Sequence, residues 1–304
     1  MAKTTPLRYP GGKARLLKYF QRLIAQNELY DCHYVEPFCG GAALAVELLQ
    51  SGHVASVHIN DYDRAVYAFW HSVVNRSDDL CQLILDARVD MPTWYSCREV
   101  YRDPGADLLS LGFATFFLNR TNRSGILTAG VIGGVSQAGA WKLDARFNRD
   151  ELIRRIQRIA AFRSRIKVSQ LDAAKMLRLY GQEWGANAFV YLDPPYVEKG
   201  PRLYLNAYEE RDHRLLAEEV SRLKCPWVVS YDDNPLVRDI YSGYRSQSLR
   251  LHYSAREHSR VGREVAYFAP VLVPPDMSGV KSSYRMPWVD NDLVDRRPVR
   301  RKTM

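Results

Sequence analysis

The chain of 304 residues lacks any apolar run of about 18 residues, and its first residues do not read as a secretory leader, so neither a membrane span nor secretion is expected. Cysteine is scarce. The five that occur (Cys32, Cys39, Cys81, Cys97, Cys225) are odd in number and show no paired metal-ligand spacing. They read as free thiols in a reducing cytoplasm, and no metal is expected. Pro10-Gly11-Gly12-Lys13 is not part of a full Gly-x-x-x-x-Gly-Lys-Ser/Thr string, which argues against a plain phosphate loop. No internal repeat is evident. Acidic residues are outnumbered: 43 Lys and Arg against 34 Asp and Glu give a net charge of +9. With a pI near 9.3 this balance suits a polyanionic partner. Hydrophobic content of 46% and aromatic content of 12% support a real core, in one large domain or a domain with a sizeable insertion.

The densest chemistry lies at Asp193-Pro194-Pro195-Tyr196, directly after the buried-strand pattern Phe189-Val190-Tyr191-Leu192. Two prolines fix φ and remove two backbone donors, so the carbonyls there can only accept. A carboxylate, a proline carbonyl and an aromatic face then converge at a strand's carboxyl end. That set suits a planar ring bearing an amino group: the amine hydrogens go to Asp193 and the Pro194 carbonyl, and the ring stacks on Tyr196. The plain alternative is a proline turn after a strand.

A second constellation begins at Tyr34-Val35, passes through Glu36-Pro37-Phe38-Cys39-Gly40-Gly41-Ala42, and enters the helical run Ala43–Leu49. Gly40 and Gly41 allow a ligand close to the backbone at a helix N-terminus. A strand from Val54 to Ile59 ends in Asn60-Asp61, and Asp61 stands 20 residues after Gly41. A Rossmann-type unit places there the carboxylate that binds ribose hydroxyls, so a nucleoside-containing cofactor is expected. Tyr9-Pro10-Gly11-Gly12-Lys13 precedes an amphipathic stretch from Arg15 to Gln26, with Leu16, Leu17, Phe20, Leu23 and Ile24 on one face.

Six motifs occur in one order: Tyr9–Lys13, Glu36–Gly41, Asn60-Asp61, Phe117-Leu118-Asn119-Arg120-Thr121-Asn122-Arg123-Ser124-Gly125, Arg146-Phe147-Asn148 and Asp193–Tyr196. In this the chain resembles the Dam-like, D12-class alpha-group, site-specific DNA adenine methyltransferases, from about residue 6 to about residue 270. The resemblance implies an α/β, Rossmann-like S-adenosyl-methionine-dependent methyltransferase sheet with an inserted, mainly helical target-recognition region. It implies S-adenosyl-methionine as methyl donor and the exocyclic 6-amino group of a flipped-out adenine in double-stranded DNA as acceptor. Motif by motif it places Asp193, Pro194, Pro195 and Tyr196 in the catalytic tetrad. It places Tyr9, Lys13, Phe38, Gly40, Gly41, Asp61, Asp193 and, less directly, Asp172 at the cofactor. Two departures stand out: Tyr9 where the family often has Trp, and Ala42 where its turn often has a further Gly.

The catalytic domain is expected over 1–74 and 149–273, with the insertion at 75–148. Helix, strand, helix, strand, helix over 14–75 predicts a parallel sheet. Polar and turn residues dominate 76–107, Leu108–Leu118 reads as an apolar helix, and a Gly-rich loop runs from Gly125 to Gly139. Asn119, Arg120, Asn122 and Arg123 are the candidate DNA contacts, Arg for its donor fork and Asn for its mixed edge; bracing of the loop is the alternative. A helix over 150–163, a short strand from Val168 to Leu171, an N-cap at Asp212 and strands at 227–230 and 264–268 complete the pattern. The segment 274–304, with five basic residues in seven at Arg296–Lys302, reads as a flexible basic tail. The expected enzyme is cytoplasmic, of prokaryotic or phage origin, a monomer or weak dimer, with a restriction or phage-defence component as a candidate partner. The competing readings are a DNA-binding regulatory protein on a catalytically impaired methyltransferase scaffold and an RNA adenine methyltransferase.

Overall fold

The computed structural model describes residues 5–8, 13–197, 208–255, 258–276 and 288–290, with the backbone alone for residues 14, 250–255, 258–263 and 288–290. In chain order its main elements are α1 (Leu17–Gln26), β1 (His33–Glu36), α2 (Ala43–Gln50), β2 (Ser56–Asn60), α3 (Arg64–Asn75), α4 (Ser77–Asp86), α5 (Met91–Arg102), α6 (Leu108–Thr121) and α7 (Arg149–Ala160). They continue as β3 (Ile166–Ser169), α8 (Ala173–Tyr180), β4 (Ala188–Leu192), α9 (Glu210–Ser221), β5 (Trp227–Asp232), α10 (Pro235–Ile240), β6 (Arg245–Ala255), β7 (His258–Phe268) and β8 (Trp288–Asp290). Two units separate by their contacts: Met1–Ala14 with Cys39–Leu171, and Arg15–Phe38 with Asp172–Met304.

In the first unit, β2 and β3 pair in parallel, Val57 opposite Ile166 and Asn60 opposite Ser169. Helices α3, α6 and α7 pack together, and α4 and α5 join them. The approach of α3 and α6 is close because Gly112 has no side chain: a Cβ there would stand 2.7 Å from the Ala68 carbonyl oxygen and 2.5 Å from Ser72 Oγ. Segment 76–107, read from its polar residues as turn-rich, instead forms α4 and α5. Asp90 caps α5 by accepting from the Thr93 N–H at 3.0 Å, Pro92 occupies the first turn, and only Trp94 and Cys97 of that helix are buried. So small an apolar face leaves little periodic signal.

In the second unit, β1, β4 and β5 are parallel neighbours, Tyr34 opposite Phe189 and Leu192 opposite Val229. β7 then pairs antiparallel with β5, β6 with β7, and β8 with β6. All five residues of β4 are buried. The apolar face of α1 meets it: the Phe20 ring centroid lies 4.7 Å from that of Tyr191 and 5.9 Å from that of Phe189. Each such buried aromatic contributes about 1.5–3 kcal/mol. The mixed α/β architecture agrees with the expected methyltransferase-like sheet. Two details differ. Asp212 is the third residue of a capping box rather than the N-cap: Glu209 caps α9 and Asp212 returns a bond to the Glu209 N–H at 2.9 Å. β8 falls inside the segment expected as a flexible tail, while the basic run at 296–302 lies outside the described residues. Among the described residues no helix is long and apolar enough to cross a membrane.

Candidate functional site

In the first unit the glycine turn leaves one strand and enters α2 through two left-handed residues, Gly40 (φ 44°) and Ala42 (φ 43°, ψ 31°). The turn is pinned at its start by the Cys39 N–H on the Asn60 carbonyl, 2.9 Å. The Gly40 N–H donates to Asp61 Oδ2 at 2.9 Å, and the Gly40 carbonyl accepts from Trp70 Nε1 at 2.8 Å. Asp61 Oδ1 accepts from the Asp63 N–H at 3.0 Å. A carboxylate has about four acceptor positions, so two remain for a pair of hydroxyls. Burial, and then the neighbouring Asp63, push the Asp61 carboxyl up to about 7. No side chain caps α2, whose first N–H groups therefore lie beside a turn without β-carbons at Gly40 and Gly41. Two spare carboxylate acceptors beside an uncapped helix start fit a ribose-bearing cofactor.

Ala42 is the departure with a structural cost. A left-handed backbone costs an L-residue roughly 1–2 kcal/mol, which glycine avoids. Lys13 is buried. Tyr9 lies outside the described residues. Asn60, given no role from the sequence beyond ending its strand, is fully buried and ties the strand ends together. Its Oδ1 accepts from Ser169 Oγ (2.8 Å) and the Leu171 N–H (2.9 Å), and its Nδ2 donates to the Leu171 carbonyl (2.8 Å).

In the second unit Asp193 leaves the end of β4, half-buried, with Pro194 buried behind it. Ser230 Oγ donates to Asp193 Oδ1 at 3.2 Å and shares a 2.8 Å bond with the Tyr191 hydroxyl. The Tyr196 hydroxyl donates to the buried Glu264, and the Val197 N–H donates to Asp232 Oδ1 at 3.3 Å. Phe38 meets Tyr208 edge-on at 5.8 Å, Tyr208 meets His213 at 5.4 Å, and His213 Nδ1 bonds the Tyr231 hydroxyl at 2.9 Å. Burial lowers the pKa of His213, against the opposing charge of Asp212. Asp172 caps α8 through the Lys175 N–H at 2.9 Å. Its charge also acts on Tyr208, whose hydroxyl is raised mainly by burial. Ser230, Asp232, Glu264 and His213 carried no motif; only their register reveals them.

The expected DNA contacts divide. Asn119 and Asn122 are buried, and all their polar atoms are engaged within the protein. Asn119 Oδ1 accepts the Arg8 N–H (2.7 Å), and its Nδ2 serves the carbonyls of Arg8 (2.9 Å) and Gly125 (2.8 Å). Asn122 Oδ1 accepts from Trp94 Nε1 (2.7 Å), and its Nδ2 serves the carbonyls of Ile126 (3.1 Å) and Leu127 (2.8 Å). Each amide thus serves three groups of the protein itself, which is the arrangement the bracing alternative describes. Gly125, at φ +77°, lets the segment approach: a Cβ there would sit 2.2 Å from the Arg8 carbonyl oxygen. Arg123 is exposed and stays available to a ligand. Arg120 is 8% exposed and gives Nε to the Arg146 carbonyl (2.8 Å) and Nη1 to the Pro6 carbonyl (3.4 Å). Burial first, then Arg8, Arg155 and Arg146, bring its pKa down to about 9. Arg155 meets a carboxylate, Glu151 at 3.0 Å, and Glu151 also serves Arg154.

Solved structures with similar chain traces include a methyltransferase designated yhhF from Escherichia coli, described as putative (12% identity, 86% of this chain and 90% of that one, TM-score 0.36). Others are PH1948 from Pyrococcus horikoshii, described as a putative RNA methyltransferase (11%, 86% and 84%, 0.39), and the rRNA methyltransferase aviRa from Streptomyces viridochromogenes (15%, 86% and 85%, 0.38). No curated protein matches the sequence. The model of the D12 class N6 adenine-specific DNA methyltransferases matches residues 9–255, which takes in the glycine turn, Asp61, the segment Asn119–Arg123 and the Asp193–Tyr196 ledge. The chain belongs to the D12 class N6 adenine-specific DNA methyltransferase family, with S-adenosyl-methionine as its cofactor.

Proposed function

We propose that this chain methylates the 6-amino group of adenine within a specific site in double-stranded DNA, taking the base out of the helix to do so. The observation that carries the reading is the Asp193–Tyr196 ledge: a carboxylate held by Ser230, two prolines without N–H donors, and a ring held by its hydroxyl. S-adenosyl-methionine supplies a methyl group on a sulfonium, whose leaving group is a good neutral thioether. The difficulty is the nucleophile, since the adenine amine lone pair is delocalised into the ring. Asp193 and the Pro194 carbonyl take the two amine hydrogens, which favours a pyramidal nitrogen and concentrates the lone pair. Asp193 also offers an acceptor for the proton the nitrogen sheds. Flipping the base costs a few kcal/mol, and stacking on Tyr196 offsets part of it.

The polyanionic substrate is supported by Arg8, Arg120, Arg146 and Arg155, which stand close enough for the other three to lower the pKa of Arg120. Clustered cations are stabilised by an external anion, and duplex phosphates provide one. Exposed Arg123 and exposed Trp141, with the Arg146 guanidinium 5.7 Å over its ring, extend that surface. Of the sequence-derived contacts, Arg123 is the exposed one, and Arg120 contributes its charge from a buried position. The intact Lys13, Asp61 and Asp193 speak against an impaired scaffold. The test is methyl transfer to unmethylated duplex DNA, single-stranded DNA and RNA of matched sequence, with the product base identified by mass. N6-methyladenine confined to one sequence context in duplex DNA is the expected product; modification of RNA alone would replace the reading with the RNA alternative.

A further inference from the structure

The register between β4 and β5 ends at Leu192 opposite Val229, and beyond it Pro194 and Pro195 have no N–H to donate. Three side chains from the neighbouring strands take over. Ser230 and Asp232 alternate on β5, and Asp232 stands directly opposite Glu264 on β7. All three therefore share one face of the sheet. Ser230 reaches Asp193, Asp232 takes the Val197 N–H, and Glu264 takes the Tyr196 hydroxyl. Glu264 is 1% exposed, and burying a carboxyl group is costly unless it is hydrogen-bonded. The ledge supplies donors to this face of the sheet, at Tyr196 for Glu264 and at Val197 for Asp232.

We propose that Glu264 is a positioning residue, whose buried carboxylate holds the Tyr196 hydroxyl and sets the plane of the ring that receives the substrate base, with Asp232 fixing the same ledge one residue on. This rests on the assignment of Tyr196 as the stacking ring in the proposed function. It also changes the weight of the phenol oxygen. Stacking alone needs only the ring, whereas a ring clamped through its hydroxyl loses its orientation when the oxygen is removed.

The test compares Tyr196→Phe, Glu264→Leu, Glu264→Gln and the double variant Tyr196→Phe/Glu264→Leu in the full-length protein. The readouts are single-turnover methylation of duplex DNA, cofactor affinity by calorimetry, and the fluorescence of 2-aminopurine at the target position. Tyr196→Phe and Glu264→Leu should each slow the methyl-transfer step by about ten- to a hundredfold, the scale of a small misplacement at a reacting centre. Cofactor affinity should stay unchanged and the fluorescence of the extruded base should be altered. The double variant should be no slower than either single one, because both remove the same contact. Glu264→Gln keeps an acceptor carbonyl and should restore most of the rate lost in Glu264→Leu. Wild-type turnover and fluorescence in Tyr196→Phe, or losses that multiply in the double variant, would overturn the proposal. Tyr196→Phe deletes a single oxygen and keeps the test valid should Glu264→Leu fold poorly. Asp193→Ala, run alongside, reports on the amine-methylation reading itself: full activity there removes that reading, whereas an inert Asp193→Ala beside a normal Tyr196→Phe removes only the clamp.

Discussion

Lowering the pH from 8 to 5 should weaken cofactor binding by about a hundredfold through Asp61. Its carboxyl titrates at about 7 in the free protein, because burial and Asp63 disfavour the charge more than the Gly40 and Asp63 N–H groups favour it. Both carboxylate oxygens already accept one backbone N–H. Ionised, the group keeps two lone pairs for two ribose hydroxyls; protonated, it keeps one and must turn a hydrogen toward a donor. Binding therefore selects the ionised form. For a ligand that excludes the proton, the apparent dissociation constant grows as one plus the ratio of proton concentration to the acid constant, roughly tenfold at pH 6 and a hundredfold at pH 5. The folding contribution has the opposite dependence. A carboxyl raised above its unfolded value holds its proton more tightly when folded, so its stabilisation is present in acid and fades as pH rises from about 4 through 7. Calorimetric titration of the cofactor across pH 5–8 measures the binding slope. Asp63, the N-cap of α3, is also raised by burial and could add to it. Asp61→Asn assigns the slope, since that variant should bind weakly at every pH. A flat profile in the native protein, or an undiminished slope in Asp61→Asn, would refute the reasoning.

Other substitutions separate roles that the structure distinguishes. Asp193→Ala should lower turnover at least a hundredfold, the loss of about 3 kcal/mol of transition-state stabilisation, with duplex affinity within a few-fold; single-turnover kinetics and binding titrations check it. Asn122→Ala deletes three buried hydrogen bonds and should cost about 2–4 kcal/mol of stability without relaxing sequence preference, read by denaturant melts and by cognate against scrambled duplexes. Arg123→Ala should leave stability unchanged and flatten the salt dependence of duplex binding by roughly one unit. Ala42→Gly should raise stability by about 1 kcal/mol by relieving the left-handed backbone, as a shift in the denaturation midpoint.

The parts of this protein that the sequence announces are those whose signal is local. β4 is a run of five buried residues, the turn at Gly40 needs its missing β-carbons, and the prolines at 194 and 195 have one geometry to offer. Helices α4 and α5 escape because few of their side chains are buried, so caps and tertiary contacts define them more than periodicity does. Asn119 and Asn122 show a different limit. Asn in a basic stretch has the right chemistry for a base edge, and only the folded chain brings Arg8, Trp94, Gly125 and Leu127 to occupy that chemistry first. Glu264 and Asp232 are invisible for the same cause: each is an ordinary strand residue until antiparallel register sets them face to face.

The central claim is that the Asp193–Tyr196 ledge presents the 6-amino group of a flipped adenine for methylation. Its most direct test is transfer of a labelled methyl group from S-adenosyl-methionine to a duplex library, followed by base-resolved mapping, with the native protein and Asp193→Ala side by side. N6-methyladenine is expected at one recurring sequence with the native protein and at least a hundredfold less with Asp193→Ala. Label on cytosine, on RNA alone or on protein, or equal labelling by the two proteins, would contradict it.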